Sequence, residues 1–261
     1  MRSTWSKESF ASLNSMNLKF KAKIYFYFQY LVGRLTVFAA APLIFLAIKS
    51  AGYRVKDLGK VRGRVRELMA RHPGPWLICT NHLTLIDSVI LAYAMMPAYR
   101  YMLHYKRLPW NVPEQMNFNR NLFVGLACFL TKCIPIIRGG DREAVRSTLS
   151  KCSFLLNKGE SLMIFPEGTR SRSGRVNTED FPYGVGRFFC NVPNCRVMTV
   201  YLRGAGQTTY SKFPRYGETF TVRVAEFVPE TGLKGLRAQR DCAKQIVNRL
   251  SEMEEEYFKR N

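Results

Sequence analysis

The chain has 261 residues, and 47% of them are hydrophobic, which is enough to bury the core of one large α/β domain, or of a domain with appendages, and argues against a disordered chain. Lysine and arginine number 40 against 19 aspartates and glutamates, so the formal net charge is +21. Such a surface attracts nucleic acid, anionic lipid headgroups or phosphorylated substrates, and charge alone does not distinguish them. The seven cysteines form no CxxC or His/Cys pair, which favours reduced, mostly buried thiols facing the cytosol over a disulfide or zinc framework.

The N-terminal part of the chain, residues 1–74, is predicted to anchor the protein to a membrane. An aromatic stretch, residues 24–32, precedes an uninterrupted apolar run, residues 35–48, and Arg34 and Lys49 flank this run. The run is shorter than the ~20 residues needed to cross hydrocarbon. Aromatic and cationic residues beside it favour an in-plane or re-entrant helix at the membrane interface. A buried soluble helix and a single tilted span are the alternatives.

The basic segment that follows, residues 51–74, predicts an amphipathic helix. Its apolar side chains recur at helical spacing, and the Pro73-Gly74 pair ends the pattern. The apolar positions are Val61, Val65, Leu68 and Met69.

From Trp76 onward, strand and helix patterns alternate, which predicts a layered α/β sheet in residues 75–261. The predicted strands are residues 76–80, 100–104, 134–137, 161–165, 196–202 and 219–224. The predicted helices are residues 84–93, 121–132, 142–157 and 234–257.

A histidine and an aspartate lie five residues apart directly after the first of these strands. The segment is NHLTLID, residues 81–87, and ligands of open α/β sheets bind just past the carboxyl ends of strands. The Asp87 carboxylate can accept a hydrogen bond from one nitrogen of His82 and leave the other free to take a proton from a substrate hydroxyl. The segment is equally compatible with a helix capping box, in which Asp87 closes the first turn and His82 is a surface loop residue.

A second polar turn, FPEGTRS (residues 165–171), follows another predicted strand. Gly168 permits a sharp turn, and Arg170 can hold a phosphate through two hydrogen bonds, with Arg172 adding positive charge nearby. A polar turn that carries only a surface ion pair is the alternative.

These two segments together resemble the HxxxxD and FPEGTRS motifs of the glycerolipid acyltransferase superfamily, which includes the 1-acylglycerol-3-phosphate acyltransferases. The order of the motifs and the near-complete second motif make the resemblance specific, and it covers residues 76–203. It implies an α/β fold with a mixed central sheet flanked by helices, as in glycerol-3-phosphate acyltransferases. Residues 75–261 would be the catalytic domain, and residues 1–74 would supply a membrane-associated helical segment.

The resemblance also implies roles for individual residues. His82 would be the catalytic base, and Asp87 its orienting partner. Contacts with the glycerophosphate part of the acceptor are implied for Arg138, Glu167, Gly168, Thr169 and Arg170. Two positions depart from the family's pattern: Ile137 stands where many members carry Asp, and residues 198–200 (MTV) lack the proline of a Val-Pro-Val block. Both departures concern the choice of acceptor more than the chemistry.

We therefore predict an O-acyltransferase that moves a fatty acyl group from acyl-CoA or acyl-carrier protein to a lysophospholipid, above all 1-acylglycerol-3-phosphate, giving phosphatidic acid. No metal and no cofactor beyond the acyl donor is expected. The expected partners are anionic membrane lipids rather than nucleic acid, on the cytoplasmic face of a membrane, the inner membrane if the source is bacterial.

Several alternatives stay open from the sequence. The acceptor can be another lysophospholipid, a lyso-ornithine-type lipid or glycerol-3-phosphate, or water can replace it in thioester hydrolysis. A basic membrane-surface protein without catalysis is the alternative from another class. Lys106, Arg107 and Lys132 are predicted either to contact a headgroup or carrier, or to be solvated surface cations.

Overall fold

The computed structural model describes residues 20–115, 122–136 and 142–260 of the chain. Within these residues a six-stranded mixed sheet is flanked by helices, which confirms the predicted fold class. The strands are β1 (Arg54–Val55), β2 (Trp76–Thr80), β3 (Trp110–Asn111), β4 (Leu162–Ile164), β5 (Arg196–Gly204) and β6 (Thr219–Phe227). The helices are α1 (Phe20–Ser50), α2 (Leu58–Arg71), α3 (Asp87–Met95), α4 (Ala98–Leu103), α5 (Leu122–Leu130), α6 (Arg142–Asn157), α7 (Gly184–Asn191) and α8 (Gly235–Phe258).

The order of strands across the sheet is β1-β6-β5-β2-β4-β3, and only β5 and β6 pair antiparallel. The central strand β2 is buried along its whole length, because a parallel strand covered on both faces must be apolar throughout. Its neighbour β4 runs in the same direction, with Leu77 opposite Leu162. The turns that follow β2 and β4 therefore meet at one edge of the sheet.

The core lies on both faces of this sheet, and alternate residues of β2 point into its two halves. Leu77 and Cys79 pack with α6, α7 and α8, whereas Trp76 and Ile78 pack with α2, α3 and α4. Burial of one Leu or Ile side chain contributes about 1.5–3 kcal/mol, so both layers of helices are held to the sheet chiefly by apolar contacts.

The N-terminal apolar region forms one continuous 31-residue helix, α1, rather than the two separate apolar segments read from the sequence. One face is buried along the domain, and on that face the Gln29 amide donates hydrogen bonds to the carbonyls of Phe129 (3.0 Å) and Cys133 (3.1 Å). The opposite face exposes large apolar side chains such as Leu35 and Phe38. By length and composition α1 is able to cross a membrane, and the core helices of soluble proteins can share both features.

Most predicted elements are confirmed, and the strand 76–80 and the helix 142–157 have the predicted bounds. The predicted strand 100–104 is wrong, because this segment belongs to helix α4. The Tyr101 ring is buried there, and its hydroxyl donates to the carbonyl of Ala92 in α3 at 2.8 Å. This tertiary contact overrides a short alternating pattern, which does not distinguish helix from strand.

Two other sequence predictions need correction or restriction. The predicted strand 134–137 is reduced, within the described residues, to isolated bridges at Cys133 and Ile136. Lys132, predicted as a headgroup contact or a surface cation, is instead fully buried. The proposed boundary at residue 74 stays a prediction, although β1 from the N-terminal part pairs with β6 and extends the same sheet.

Candidate active site

A histidine–aspartate pair lies at the sheet edge where β2 ends. His82 follows the strand, and Asp87 is the first residue of α3, with 2.9 Å between imidazole Nδ1 and carboxylate Oδ2. The same oxygen accepts the backbone N–H groups of Leu83 (2.6 Å) and Thr84 (2.8 Å), and the Thr84 hydroxyl donates to Oδ1. The amino end of α3 also favours a negative charge at this position. The carboxylate thus orders the turn and orients the imidazole at once.

Because a carboxylate only accepts hydrogen bonds, His82 must present Nδ1–H to Asp87, which leaves the lone pair on Nε2. No hydrogen-bond partner of Nε2 occurs among the described residues. The imidazole stacks on the Phe165 ring, with 4.0 Å between centroids and 25° between planes. Its side chain is only 14% exposed, so His82 is not the surface loop residue of the capping-box alternative.

The FPEGTRS turn after β4 holds the histidine loop in place. The backbone N–H of His82 donates to Glu167 Oε1 at 3.0 Å, and the N–H of Ser171 donates to the His82 carbonyl at 2.9 Å. The other carboxylate oxygen of Glu167 accepts the N–H of Asn177 at 3.1 Å. Glu167 therefore connects three loop segments at the sheet edge.

Glu167 is buried, and burial raises the pKa of its carboxyl to about 7. The hydrogen bonds from the backbone of Asn177 and His82 oppose this rise, and the charges of Glu254 and Asp87 add to it. This carboxyl group therefore gains and loses its proton near neutral pH. Both of its hydrogen bonds are accepted from backbone N–H groups, and these bonds favour the charged carboxylate.

Gly168 forms the sharp turn that the motif requires. Its φ of 74° is in the left-handed region, and an added Cβ would lie 2.7 Å from Cδ of Pro182. A side chain at this position would clash with the Pro182 ring, so the turn depends on glycine here.

A cavity of about 650 Å³ opens beside the imidazole. Its polar end is lined by His82, Thr169, Arg170 and Arg172. Most of the remaining lining is apolar, with walls from α1, α3 and α5 that include Val37, Ala41, Val89, Ala92 and Ala127, and Asn111 and Glu114 also line it. The arrangement suits an amphipathic molecule with an anionic group at one end and a hydrocarbon chain at the other.

Aromatic residues of the loop between β5 and β6 complete the polar end. Tyr210 and Phe213 line the cavity, and the Arg170 guanidinium lies 5.6 Å from the centroid of the Tyr210 ring. Sequence reasoning did not find these two residues, because no motif marks the loop. The aromatic and basic residues of the stretch 208–216 were the available signal.

The structure thus sorts the predicted site residues into three groups. His82, Thr169 and Arg170 share the cavity wall, whereas Asp87, Glu167 and Gly168 are not among its lining residues and support it from outside. Arg138, together with the departing position Ile137, lies outside the described residues. No cluster of three His, Cys, Asp or Glu side chains that could hold a metal ion occurs within residues 20–115, 122–136 and 142–260.

Two comparisons with known proteins show what this chain is similar to. The family model described as Acyltransferase matches residues 62–203, more than half of the chain. The chain is also similar to the 1-acyl-sn-glycerol-3-phosphate acyltransferase LPAT1, chloroplastic, of Arabidopsis thaliana, with 40% identity over 55 residues. That match covers 21% of this chain and 15% of the plant protein, well under two thirds of its length.

Proposed function

This chain belongs to the acyltransferase family, and from that membership we propose that it transfers a fatty acyl group from a thioester donor to the hydroxyl of a lysophospholipid. The donor is acyl-CoA or acyl-carrier protein. The acceptor is 1-acylglycerol-3-phosphate, and the product is phosphatidic acid. One observation carries the proposal: His82, held by Asp87, borders a cavity that is lined by arginines beside the imidazole and by apolar side chains elsewhere.

The imidazole acts as a general base on the acceptor. Nε2 of His82 takes the proton of the free hydroxyl while that oxygen attacks the thioester carbonyl carbon. The tetrahedral intermediate collapses, the C–S bond breaks, and the imidazolium returns its proton to the leaving thiolate. Asp87 holds the ring in the required tautomer and stabilises the imidazolium. No covalent acyl-enzyme is needed.

The cavity accommodates the two chemically different ends of such an acceptor. A phosphate monoester placed at the polar end can pair with Arg170 and Arg172, because guanidinium groups bind phosphate through parallel hydrogen bonds. The hydrocarbon chain of a substrate then occupies the apolar end between α1, α3 and α5. The name of the plant relative, a 1-acyl-sn-glycerol-3-phosphate acyltransferase, supports this acceptor over the alternatives.

The surface around α1 supports work at a membrane. Large apolar side chains are exposed on α1 and on α5, where Leu122 and Phe123 are 83% and 81% exposed. An apolar surface of this kind marks a membrane or partner interface in a soluble domain. Because α1 packs along the domain from Phe26 to Ile48, an in-plane position is favoured over a projecting span. The cytoplasmic face of the membrane, the inner one in a bacterium, is our proposed location.

A thiol-release assay with purified protein tests the function. Acyl-CoA and acyl-carrier protein are supplied in turn with a panel of acceptors: 1-acylglycerol-3-phosphate, other lysophospholipids, a lyso-ornithine lipid and glycerol-3-phosphate. We expect thiol release that depends on 1-acylglycerol-3-phosphate, with phosphatidic acid identified by mass spectrometry. Release without any acceptor would identify a thioesterase, and release with another acceptor would replace the proposed substrate.

A further inference from the structure

A second pocket, of about 310 Å³, lies between α2 and the start of α4, at the far end of α3 from His82. Four of its lining side chains are arginines: Arg62, Arg66, Arg100 and Arg107. Met95 and Met96 at the carboxyl end of α3 also line it, so it lies about 12 Å along that helix from Asp87. We call it the arginine pocket. No step of the proposed acyl transfer uses it.

The positive charge of the arginine pocket is not balanced by the protein. On α2, Glu67 pairs with Arg64 at 2.8 Å and with Arg71 at 2.5 Å, and none of these three side chains lines the pocket. Just before α2, Asp57 pairs with Lys60. Within the described residues, none of the four pocket arginines forms an ion pair. Four cations concentrated in one concave site attract an anion strongly.

Two glycines of α2 leave space in the pocket, although the surrounding atoms would allow a larger residue at either position. Gly59 and Gly63 lie one turn apart on α2 and line the pocket, and no atom lies within 4 Å of where a Cβ would stand at either position. Gly63, in the interior of α2, destabilises the helix by about 1 kcal/mol relative to alanine, whereas Gly59 is only the second residue of the helix. Since alanine would fit at position 63, this glycine weakens α2 without a packing benefit, and what it preserves is open space.

One arginine is held in place before any ligand arrives. The Arg62 Nη2 group donates to the carbonyl of Tyr93 at 2.9 Å, and its guanidinium lies 5.3 Å from the Tyr93 ring centroid. Its Nε is buried and has no acceptor among the described residues. An oxyanion in the pocket would supply acceptors to a guanidinium whose orientation is already fixed.

The arginine pocket lies beside the proposed membrane surface. Helix α4, which carries Arg100, packs against α1, and the Arg34 side chain of α1 donates to the carbonyl of Met102. The α4 side chains Tyr99 and Leu103 are exposed, at 56% and 62%. Aromatic and apolar side chains beside cations are typical of residues at the headgroup level of a bilayer.

We propose that the arginine pocket binds the phosphate of an anionic phospholipid headgroup, at a site separate from the catalytic cavity. The proposal rests on the membrane placement of the proposed function but not on its chemistry. The occupant is a lipid rather than a soluble phosphate ester, because the pocket is lined in part by α4, which packs against α1 and carries the exposed side chains of Tyr99 and Leu103. A lipid bound here would fix the orientation of the domain on the bilayer.

Calorimetric titration of the detergent-solubilised full chain tests the proposal. The probes are short-chain phosphatidylglycerol, which is neither proposed acceptor nor product, short-chain phosphatidylcholine and inorganic phosphate. The test variant is Arg66→Gln/Arg100→Gln. The matched control is Arg64→Gln/Arg71→Gln, which removes the same charge from α2 outside the pocket. We expect the test variant to bind phosphatidylglycerol roughly 30-fold more weakly and the control to bind it like the wild type.

Three results would overturn the proposal. An equal loss in both double variants would show diffuse surface attraction rather than a site. Inorganic phosphate that binds as tightly as phosphatidylglycerol would make the site one for soluble phosphates. Unchanged phosphatidylglycerol affinity, with turnover lost only when acyl-carrier protein is the donor, would assign the arginines to an acidic protein partner.

Variants that fill the pocket without changing its charge provide a second, independent test of the proposal. Gly63→Ala is expected to raise the melting temperature through helix propensity, and Gly63→Leu to weaken phosphatidylglycerol binding by occupying the space. Phosphatidylglycerol binding that survives Gly63→Leu in a folded variant would overturn the proposal. Thiol release in detergent should stay at the wild-type level in every variant here. Absence of thiol release from the wild type would refute the proposed function alone and leave the binding result standing.

Discussion

Two acid–base pairs in this chain each join a nitrogen base to a carboxylate, and they differ in their surroundings. In the first, the imidazole of His82 contacts the carboxylate of Asp87 at 2.9 Å and borders the large cavity. In the second, the ammonium of Lys132 contacts the carboxylate of Glu160 at 2.8 Å and is fully buried. The lysine ammonium also donates to two backbone carbonyls, at 3.0 and 3.2 Å, and three aromatic rings surround it.

The difference shows what distinguishes a reactive pair from a structural one. An ammonium has three donors, and three acceptors saturate that of Lys132. Nothing remains with which this lysine could bind a substrate. The imidazole of His82 keeps one nitrogen lone pair beside a cavity able to receive a substrate. A pair can therefore act on a substrate only when one of its polar atoms keeps a free hydrogen-bonding position that faces a cavity. Variants of the two pairs test this distinction.

Removal of the imidazole should give the largest effect. His82→Ala is expected to lower kcat by ~10²–10⁴-fold, because the general base is lost. Its melting temperature should stay close to the wild-type value, since the loop remains held by Glu167 and Ser171. Steady-state thiol release and thermal unfolding measure the two quantities. His104→Ala, which removes an exposed imidazole outside the cavity lining, is the control, and wild-type turnover in His82→Ala would exclude the assignment.

Breaking the second pair should affect stability instead of turnover. Burial lowers the pKa of Lys132 to about 8, and Glu160 opposes this shift. Lys132→Met leaves the Glu160 carboxylate buried without its cation, so the free energy of unfolding should fall by about 3–5 kcal/mol. The double variant Lys132→Met/Glu160→Gln should recover part of that loss, and both should keep kcat per folded molecule. Denaturant unfolding with active-site titration checks this, and a kcat loss like that of His82→Ala would remove the distinction.

The sequence predicted the first pair and not the second, for a physical reason. His82 and Asp87 are five residues apart at a strand end, so local spacing suffices to bring them together. The partners of Lys132 come from Tyr105, Leu108 and Glu160, up to 28 residues away, and only the tertiary fold assembles them. A lone lysine in the sequence is normally solvated, which is why its burial was not predicted.

The same division separates the elements that were predicted from those that were not. The β2 strand and helix α6 have strong local patterns, and their bounds were predicted correctly. The two-residue strands β1 and β3 and the helix α7 were missed, because so short an element carries too little pattern. The part of the cavity wall that α1 contributes could not be predicted from local sequence patterns either, since it depends on how that helix packs against α3 and α5.

A smaller effect is expected from Glu167, which links the two motifs. Its folded-state pKa of about 7 lies above the ordinary value of 4.5, so the native state binds more protons between these pH values. Its contribution to stability is thus present below pH 4.5 and lost as the pH rises through 7, by roughly 3 kcal/mol. Urea unfolding over this range should show that slope in the wild type and not in Glu167→Gln.

The exposed Glu179→Gln serves as the control for this slope, and it should retain the wild-type pH dependence. A wild-type minus Glu167→Gln difference that is flat with pH would contradict the assignment. The same variant separates two roles of Glu167. A carboxylate that positions the His82 loop affects kcat, whereas one that contacts the acceptor, as the family resemblance implies, affects the acceptor KM.

The smallest effect we predict concerns the arginine at the polar end of the cavity. Arg170→Gln removes one cationic partner of the acceptor phosphate, while Arg172 remains. A hydrogen bond to a charged group contributes about 1.5–3 kcal/mol, so the acceptor KM should rise about 10–100-fold. In the proposed arrangement Arg170 pairs with the phosphate of the acceptor and not with the phosphates of CoA, so the donor KM should not change. Arg237→Gln, on the exposed surface of α8, should leave both constants unchanged. An equal rise in both KM values would mean that Arg170 shapes the cavity and does not select the acceptor. The Arg170 guanidinium, which lies against the Tyr210 ring, would then have a structural role like that of Lys132.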